Sequence, residues 1–360
     1  MSAVDREERI LSIIETARAK RAKFRDERIT MAHGAGGKAT QGLIEGLLVP
    51  ALDPDGSGTL AQLADAGAVG EELALTTDAY VVKPLRFPGG SIGELAVNGT
   101  VNDLAVAGAR PLALSLSLIL EEGLEADVLR AEVEAIAAAA AAAEVAVVTG
   151  DTKVVERGHA DGMYVTTAGL GRRDPRARLS PQSLQPGDCV LVSGSIGEHG
   201  TAIMLARGEF ELDADVASDT RSLWPAADAL LEAAGGELRC MRDATRGGVA
   251  SVLNELARAS RVGVAVREAD VPVRPVVTGA AEILGIDPMY VANEGVLVAF
   301  VAADAADAAL SALRAVEGHE QAAQIGEVRA EPPGMVLVET AFGGRRIMDQ
   351  LVGDPLPRIC

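Results

Sequence analysis

Arg172-Arg173-Asp174-Pro175-Arg176-Ala177-Arg178-Leu179-Ser180-Pro181-Gln182-Ser183-Leu184-Gln185-Pro186 divides this 360-residue chain near its middle. The stretch is rich in proline and arginine, and proline withholds backbone donors, so it reads as a boundary between two domains. Upstream, Leu73–Asp78 reads as a strand that Tyr80-Val81-Val82 continues. Pro88-Gly89-Gly90-Ser91 then turns into a mostly apolar helix from Ile92 that carries Asn102-Asp103. Leu112–Leu120 is a near-continuous apolar strand, expected to be buried on both faces. The alanine-rich run Val128–Ala143 has high helix propensity. Val145–Val148 is a short strand expected to end in Thr149-Gly150-Asp151-Thr152-Lys153, and Met163–Gly169 is another strand.

Downstream the pattern starts afresh. Asp188–Val192 is a strand, followed by Ser193-Gly194-Ser195-Ile196-Gly197-Glu198-His199-Gly200 and a helical Thr201–Arg207. A helix over Ala226–Ala234 precedes Met241-Arg242-Asp243-Ala244-Thr245-Arg246-Gly247-Gly248, which opens a helix over Val249–Ala259. Val262–Val266 is a strand, and Asn293-Glu294-Gly295 leads into the strand Val296–Val301. Asp304–Ala315 is a helix, and Ala322–Val328 and Gly334–Val338 are strands. The expected organisation is a helical extension over 1–28, with apolar Ile10, Ile13, Ile14 and Ala17 at amphipathic spacing, then domains over 29–178 and 179–342. A tail over 343–360 follows.

Composition narrows the function. Hydrophobic residues make up 48% of the chain, so it is no disordered acidic tail. A formal charge of −19 disfavours nucleic acid or an anionic membrane as partner. Met1–Lys20 lacks the continuous apolar core of a secretory signal, and no apolar span reaches 18 residues, so a soluble cytoplasmic protein is expected. Cys189, Cys240 and Cys360 are too few and too scattered for a disulfide framework or a zinc cluster.

One cysteine is the last residue. Pro355-Leu356-Pro357-Arg358-Ile359-Cys360 favours an extended, polyproline-like arm, and the 16 steps from Gly344 to Cys360 span roughly 50 Å at about 3.1 Å each. The tail reads either as a carrier that swings Cys360 into a cleft or as a frayed end. Asp65, Asp78, Asp103 and Asp151 offer hard oxygen ligands of the kind magnesium shares with phosphates, while any one of them alone reads more simply as a helix cap or a solvated turn. His33-Gly34-Ala35-Gly36-Gly37-Lys38 ahead of a helix from about Ala39 is either an anion-binding turn or a flexible loop. Lys153 and Arg246 suit a phosphoryl group or an oxyanion, or are surface charges. Glu294, if buried, has the raised pKa of a base working near neutrality; otherwise it is a turn residue. There is no P-loop, no dinucleotide fingerprint and no nucleophile elbow, and the four histidines lack metal-ligand spacing.

In this order the motifs His33-Gly34-x-Gly36-Gly37, Thr76-Thr77-Asp78, Phe87-Pro88-Gly89-Gly90, Gly99-Thr100-Val101-Asn102-Asp103, Thr149–Lys153, Met241–Gly248, Asn293-Glu294-Gly295 and Pro357-Arg358-Ile359-Cys360 resemble the HypE family of hydrogenase-maturation carbamoyl dehydratases. That family belongs to the aminoimidazole ribonucleotide synthetase and selenophosphate synthetase group. The resemblance covers about residues 30–360 and implies an α/β (α+β) fold of two domains, with a homodimer whose N-terminal mixed sheets share a barrel. It implies that HypF loads a carbamoyl group on Cys360, that ATP and Mg2+ drive its dehydration to a thiocyanate, and that cyanide passes to iron on a HypC-HypD complex. Under this reading Glu294 is the base, assisted by Lys153. Asp65, Asp78, Asp103 and Asp151 hold the metal, and His33, Gly34, Gly36, Gly37, Thr77, Asn102, Thr149, Gly150 and Arg246 bind the nucleotide. The rivals are a related ATP-dependent synthetase acting on a free small molecule, with Cys360 incidental, and a scaffold whose tail is a docking peptide.

Overall fold

The structure, a computed structural model, describes residues 24–56, 58, 60–208, 214–340, 343–351, 353 and 358–360. The helix expected over 5–28 lies outside them as far as residue 23, as do both prolines of the terminal arm.

A helix, α1 (Lys38–Leu43), continues through a π turn at Ile44–Leu48 into Val49–Leu52. The first domain then contributes β1 (Gly67–Val69), β2 (Leu73–Tyr80), the ribbon of β3 (Arg86–Phe87) and β4 (Gly90–Ser91), α2 (Ile92–Val106), β5 (Ala109–Glu121), α3 (Ala126–Ala142), β6 (Ala146–Val155) and β7 (Met163–Arg173). Its sheet runs β1-β2-β7-β5-β6. Only β5 and β6 pair in parallel, because α3 forms the crossover between them. β6 is an edge strand, exposed along its length to Val154.

The second domain holds β8 (Cys189–Val192), α4 (Glu198–Ala206), α5 (Trp224–Ala234), β9 (Leu238–Asp243), α6 (Gly248–Ser260), β10 (Gly263–Arg267), α7 (Pro275–Leu284), β11 (Leu297–Val301), α8 (Ala303–Arg314), β12 (Ala323–Arg329), β13 (Val336–Glu339) and β14 (Arg345–Met348). Its sheet is ordered β14-β13-β10-β12-β8-β11-β9. Val190, Val192, Val298 and Phe300 pack with α6 on one face, while Leu191, Leu297, Ala299 and Val301 pack with α5 and α8 on the other. Both faces are covered, which is why β8 and β11 read as unbroken apolar runs.

The two domains meet across α2. A surface helix shows one apolar stripe, but α2 is buried on almost every side, between the first sheet and the β9 and α5 side of the second domain. Asn102 and Asp103 therefore sit at the domain junction.

Two expectations change. Thr149–Lys153 does not end the strand at Val148: it forms the middle of β6, where backbone pairing with β5 overrides the turn-like composition. Arg345 and Arg346 do not begin a free tail but pair with Glu339 and Val338 in β14.

Candidate active site

The Asn293-Glu294-Gly295 turn precedes β11 and is held from three directions. The Asp219 carboxylate accepts hydrogen bonds from the backbone N–H groups of Glu294 and Gly295, both at 3.1 Å. Asn293 accepts from the Gly197 N–H at 2.7 Å and donates to the Ala244 carbonyl at 2.9 Å. Asn102 donates to the carbonyls of Glu294 and Arg221, each at 3.0 Å, and accepts from the Leu223 N–H at 2.7 Å. Position 295 has to be glycine, because a Cβ there would lie 1.9 Å from the Asp219 carbonyl oxygen.

That scaffold aims a buried carboxylate. Glu294 is 2% exposed, and its Oε1 has no hydrogen-bond partner. Desolvation, then the charges of Asp219, Asp78 and Asp243, push its pKa well above the usual carboxylate range, with Arg246 opposing. His199 Nε2 lies 4.0 Å from that oxygen.

The C-terminus comes to the same place. The Val81 N–H donates to the main-chain oxygen of Cys360 at 3.2 Å and the Lys83 N–H to the Arg358 carbonyl at 3.3 Å, an antiparallel pairing that extends beyond β2. Arg207 donates to the carbonyls of Lys83 and Arg358 at 2.9 and 2.6 Å, and Arg358 pairs with Asp161. Ile359 is buried among Tyr80, Phe87, Ile203 and Ala292. Cys360 lines a cavity of about 380 Å³ with Gly34, Arg246, Tyr290, Ala292 and Leu351. Negative charge at Cys360 is the largest influence raising the Arg246 pKa.

An acidic cluster lies at the junction. Carboxylate oxygens of Asp65, Asp103 and Asp243 fall within 4.8 Å of one another. Burial raises all three; neighbouring carboxylates add to it at Asp103 and at Asp243, which is pushed up to about 8, while Arg242 opposes it at Asp65. Thr76 donates to Asp103 at 2.6 Å, and Arg242 pairs with Asp65. Desolvated, mutually repelling hard oxygens fit a divalent cation, which would relieve that repulsion. The charge of Asp78 acts on Asp103, Asp243, Arg246 and Glu294 alike, so it stands between the cluster and the tail.

Other residues singled out in the sequence are placed differently. Asp151 does not join the cluster: the row Asp78, Thr167, Leu116, Gly150 crosses three strand spacings, which puts β6 about 14 Å from β2. On exposed β6, Asp151 pairs with Lys153 at 2.7 Å, and Thr149 and Gly150 are exposed beside them. Within one copy these four are therefore apart from Glu294. Thr77 donates to the Thr167 carbonyl at 2.9 Å. Asn102, implied as a nucleotide ligand, has its amide engaged by protein groups and orients the Glu294 turn. Nor does His33 offer a free ring nitrogen: the Thr30 N–H donates to Nδ1 at 3.0 Å, which leaves Nε2–H to donate to Asp26 at 3.0 Å. The glycine turn packs on the start of α6, where a Cβ at Gly36, φ +73°, would meet the Arg246 carbonyl oxygen at 2.7 Å. A Cβ at Gly37 would lie 2.5 Å from the Leu351 carbonyl oxygen. Lys38 is paired with the Asp349 carboxylate at 2.7 Å and its N–H donates to the Leu351 carbonyl, so both groups are engaged within the chain. Arg246 reaches the Gly34 carbonyl at 2.7 Å.

Sequence reasoning does not single out Asp243, Asp219 or His199, which the structure places around the Glu294 turn and the acidic cluster. Asp243 lay within the quoted Met241–Gly248 motif, and His199 within the glycine-spaced turn after β8. Asp219 has no local signal.

The N-terminal domain model of AIR synthase related proteins matches residues 63–173, and the C-terminal domain model matches 185–338. Carbamoyl dehydratase HypE of Rhodobacter capsulatus is 50% identical over 340 residues, covering 94% of this chain and 99% of that protein. A crystal structure of a HypE-HypF complex superimposes with a TM-score of 0.82 at 41% identity, covering 86% of this chain and 99% of the other. A HypE structure in complex with ATP gives 0.77 at 43% identity, covering 92% and 100%. Two matched domains in order, with identity of this extent along nearly the whole length, show that the chain belongs to the HypE family of hydrogenase-maturation proteins.

Proposed function

We propose that this protein is an ATP-dependent carbamoyl dehydratase acting on its own C-terminus, converting a carbamoyl group on the Cys360 sulfur into a thiocyanate. The observation that carries this reading is the docked terminus: Ile359 is buried, Cys360 lies in a cavity with Arg246, and the His199 Nε2 that is 3.0 Å from the Ile359 carbonyl is 4.0 Å from the Oε1 of a desolvated Glu294, an oxygen that lacks a hydrogen-bond partner. An orphaned buried acceptor is costly unless a donor arrives, and a carbamoyl N–H is such a donor.

Bound at this site, Mg-ATP supplies the phosphoryl group that makes the carbonyl oxygen a leaving group. Asp65, Asp103 and Asp243 would hold the metal, with Asp78 beside them. Arg246 faces negative charge developing on the phosphorylated oxygen. Glu294 takes up one N–H proton as the carbonyl oxygen is phosphorylated, releases it to solvent, and takes up the second as the C–O bond breaks; its raised pKa brings it towards the operating pH, where a general base is most effective. Both N–H protons leave, the C–O bond breaks and its oxygen departs in phosphate. The thiocyanate remains on sulfur. ATP use is supported by the ATP complex of a family member, and HypF as carbamoyl donor by the HypE-HypF complex. The acceptor of the cyano group is the HypC-HypD complex, for the iron of a nickel-iron hydrogenase, in the cytoplasm. No helix among the described residues is long and apolar enough to cross a membrane.

The working unit in this reading is a homodimer. Leu75, Val148 and Val154 stand exposed on the first sheet and its edge. Pairing two such sheets gives Asp151 and Lys153 of β6 a route to the site of the second copy, which one copy alone does not provide.

Intact-protein mass spectrometry after incubation with HypF, carbamoyl phosphate and ATP tests the reading, with Cys360→Ala as control. The expected result is a carbamoyl adduct on Cys360 that loses one water only with Mg-ATP. ATP consumption without any adduct on Cys360 would instead favour the free-substrate synthetase.

A further inference from the structure

The function proposed above leaves one buried group unused. His199, on α4, is fully buried and stacks edge-on against Phe87, with ring centroids 5.6 Å apart. Its Nε2 lies 3.0 Å from the Ile359 carbonyl oxygen and its Nδ1 2.8 Å from Ser218 Oγ. A carbonyl can only accept, so Nε2 carries the proton and Nδ1 accepts from the Ser218 hydroxyl. The ring is thereby fixed as a neutral single tautomer pointing at the peptide between Ile359 and Cys360. Directly beside it, the Ile359 side chain fills the junction core, and a Cβ on neighbouring Gly200 would lie 3.5 Å from Ile359 Cδ1.

We propose that His199 is a positioning residue for the dehydration: its Nε2–H grips the Ile359 carbonyl, and with Ile359 as an apolar peg it seats Cys360 in the cavity lined by Arg246, with Glu294 Oε1 4.0 Å from the same ring nitrogen. This role rests on the carbamoyl reading for its catalytic consequence but not for its structural one. The reaction needs the carrier held in one geometry through phosphorylation and elimination, and orientation of that kind contributes to rate without contact with the reacting atoms. His199 holds the carbonyl adjoining Cys360, whereas Arg207 and the Lys83 N–H hold the Arg358 carbonyl and the Val81 N–H reaches the main-chain oxygen of Cys360.

Two backbone amides report the seating directly. Val81 and Lys83 donate to tail carbonyls, so their hydrogen exchange follows tail release in the full-length protein. His199→Ala should raise exchange at both by about tenfold, the effect of losing one buried hydrogen bond, with amides of β8 and β11 unchanged. His199→Gln retains a donor and should return both to within about twofold of the parent. Ser218→Ala frees the tautomer and should act in the same direction by about threefold. With Cys360 carbamoylated beforehand, single-turnover dehydration should fall about tenfold in His199→Ala and recover in His199→Gln. Unchanged exchange at Val81 and Lys83 in His199→Ala, or a glutamine variant as defective as the alanine one, overturns the proposal. A parent protein that never dehydrates its adduct refutes the carbamoyl reading instead, and the exchange rates still decide the role of His199.

Discussion

Glu294→Gln separates catalysis from stability, because the same feature makes the residue useful and expensive. The amide is isosteric, so the turn held by Asp219, Asn102 and Asn293 stays intact. Glutamine cannot act as a base, and single-turnover dehydration should fall by about 10²–10⁴, the range for losing a positioned base. Stability should move the other way. The folded-state pKa of Glu294 is well above the value of 4.5 for a free side chain, so the folded chain binds its proton more tightly than the unfolded chain does. That contribution is fully present at low pH and is lost as pH rises through the folded pKa. The glutamine variant should therefore resist urea better than the parent at pH 8, with the gain disappearing near pH 4. Urea unfolding at both pH values, beside single-turnover rates, reads both effects. A variant that is less stable than the parent at pH 8, or that keeps more than about a tenth of the rate, refutes the account of Glu294 as a desolvated base.

Asp243→Asn should raise the Mg2+ concentration needed for half-maximal ATP turnover by at least about tenfold, since one of three clustered carboxylates loses its charge; an unchanged Mg2+ titration removes Asp243 from the metal set. For His199 the sign is opposite to that of Glu294. Burial lowers its pKa from 6.5 to about 4, so its stabilising contribution is present above pH 6.5 and is lost as pH falls towards 4. Between pH 7.5 and pH 5 the parent should lose about 2 kcal/mol more than His199→Gln in urea titrations, and equal losses would show that the ring titrates normally. Val148→Asp places a charge on the exposed edge of the first sheet, at a residue 66% exposed in one copy. Sedimentation should show the dimer dissociation constant rising at least about tenfold, whereas an unaltered dimer would place the interface elsewhere.

Much of the fold could be read along the chain because local physics and tertiary structure agree there. Continuous apolar runs at Val190-Leu191-Val192 and Leu297–Val301 announced strands, and the proline- and arginine-rich stretch begins in the last two residues of β7 and ends before β8 at Cys189. Leu112–Leu120, expected to be buried on both faces, is only half-buried in one copy because no layer of the same chain covers its second face fully. Disagreement arose where pairing overrode composition. Thr149-Gly150-Asp151 looks like a turn, yet β5 offers it a complete backbone ladder. The double glycine at 343 suggested a free tail, yet Arg345–Met348 completes a sheet edge.

By itself the sequence determined which chemistry was on offer: a terminal thiol, carboxylates near strand ends, an Asn293-Glu294-Gly295 turn and an ordered set of motifs with a clear family resemblance. Tertiary structure alone decided which of them meet. Asp65, Asp103 and Asp243 converge from a loop, the junction helix and β9, whereas Asp151 stays with Lys153 on a distant edge. Neither Asp219 under the Glu294 turn nor His199 over Ile359 is announced by spacing, because each acts on residues 75 and 160 positions away. Local propensity is a property of neighbours in the chain. The pKa of Glu294 and the seat of Cys360 arise from desolvation and charge across the domain junction, which exist only once both domains have closed on α2.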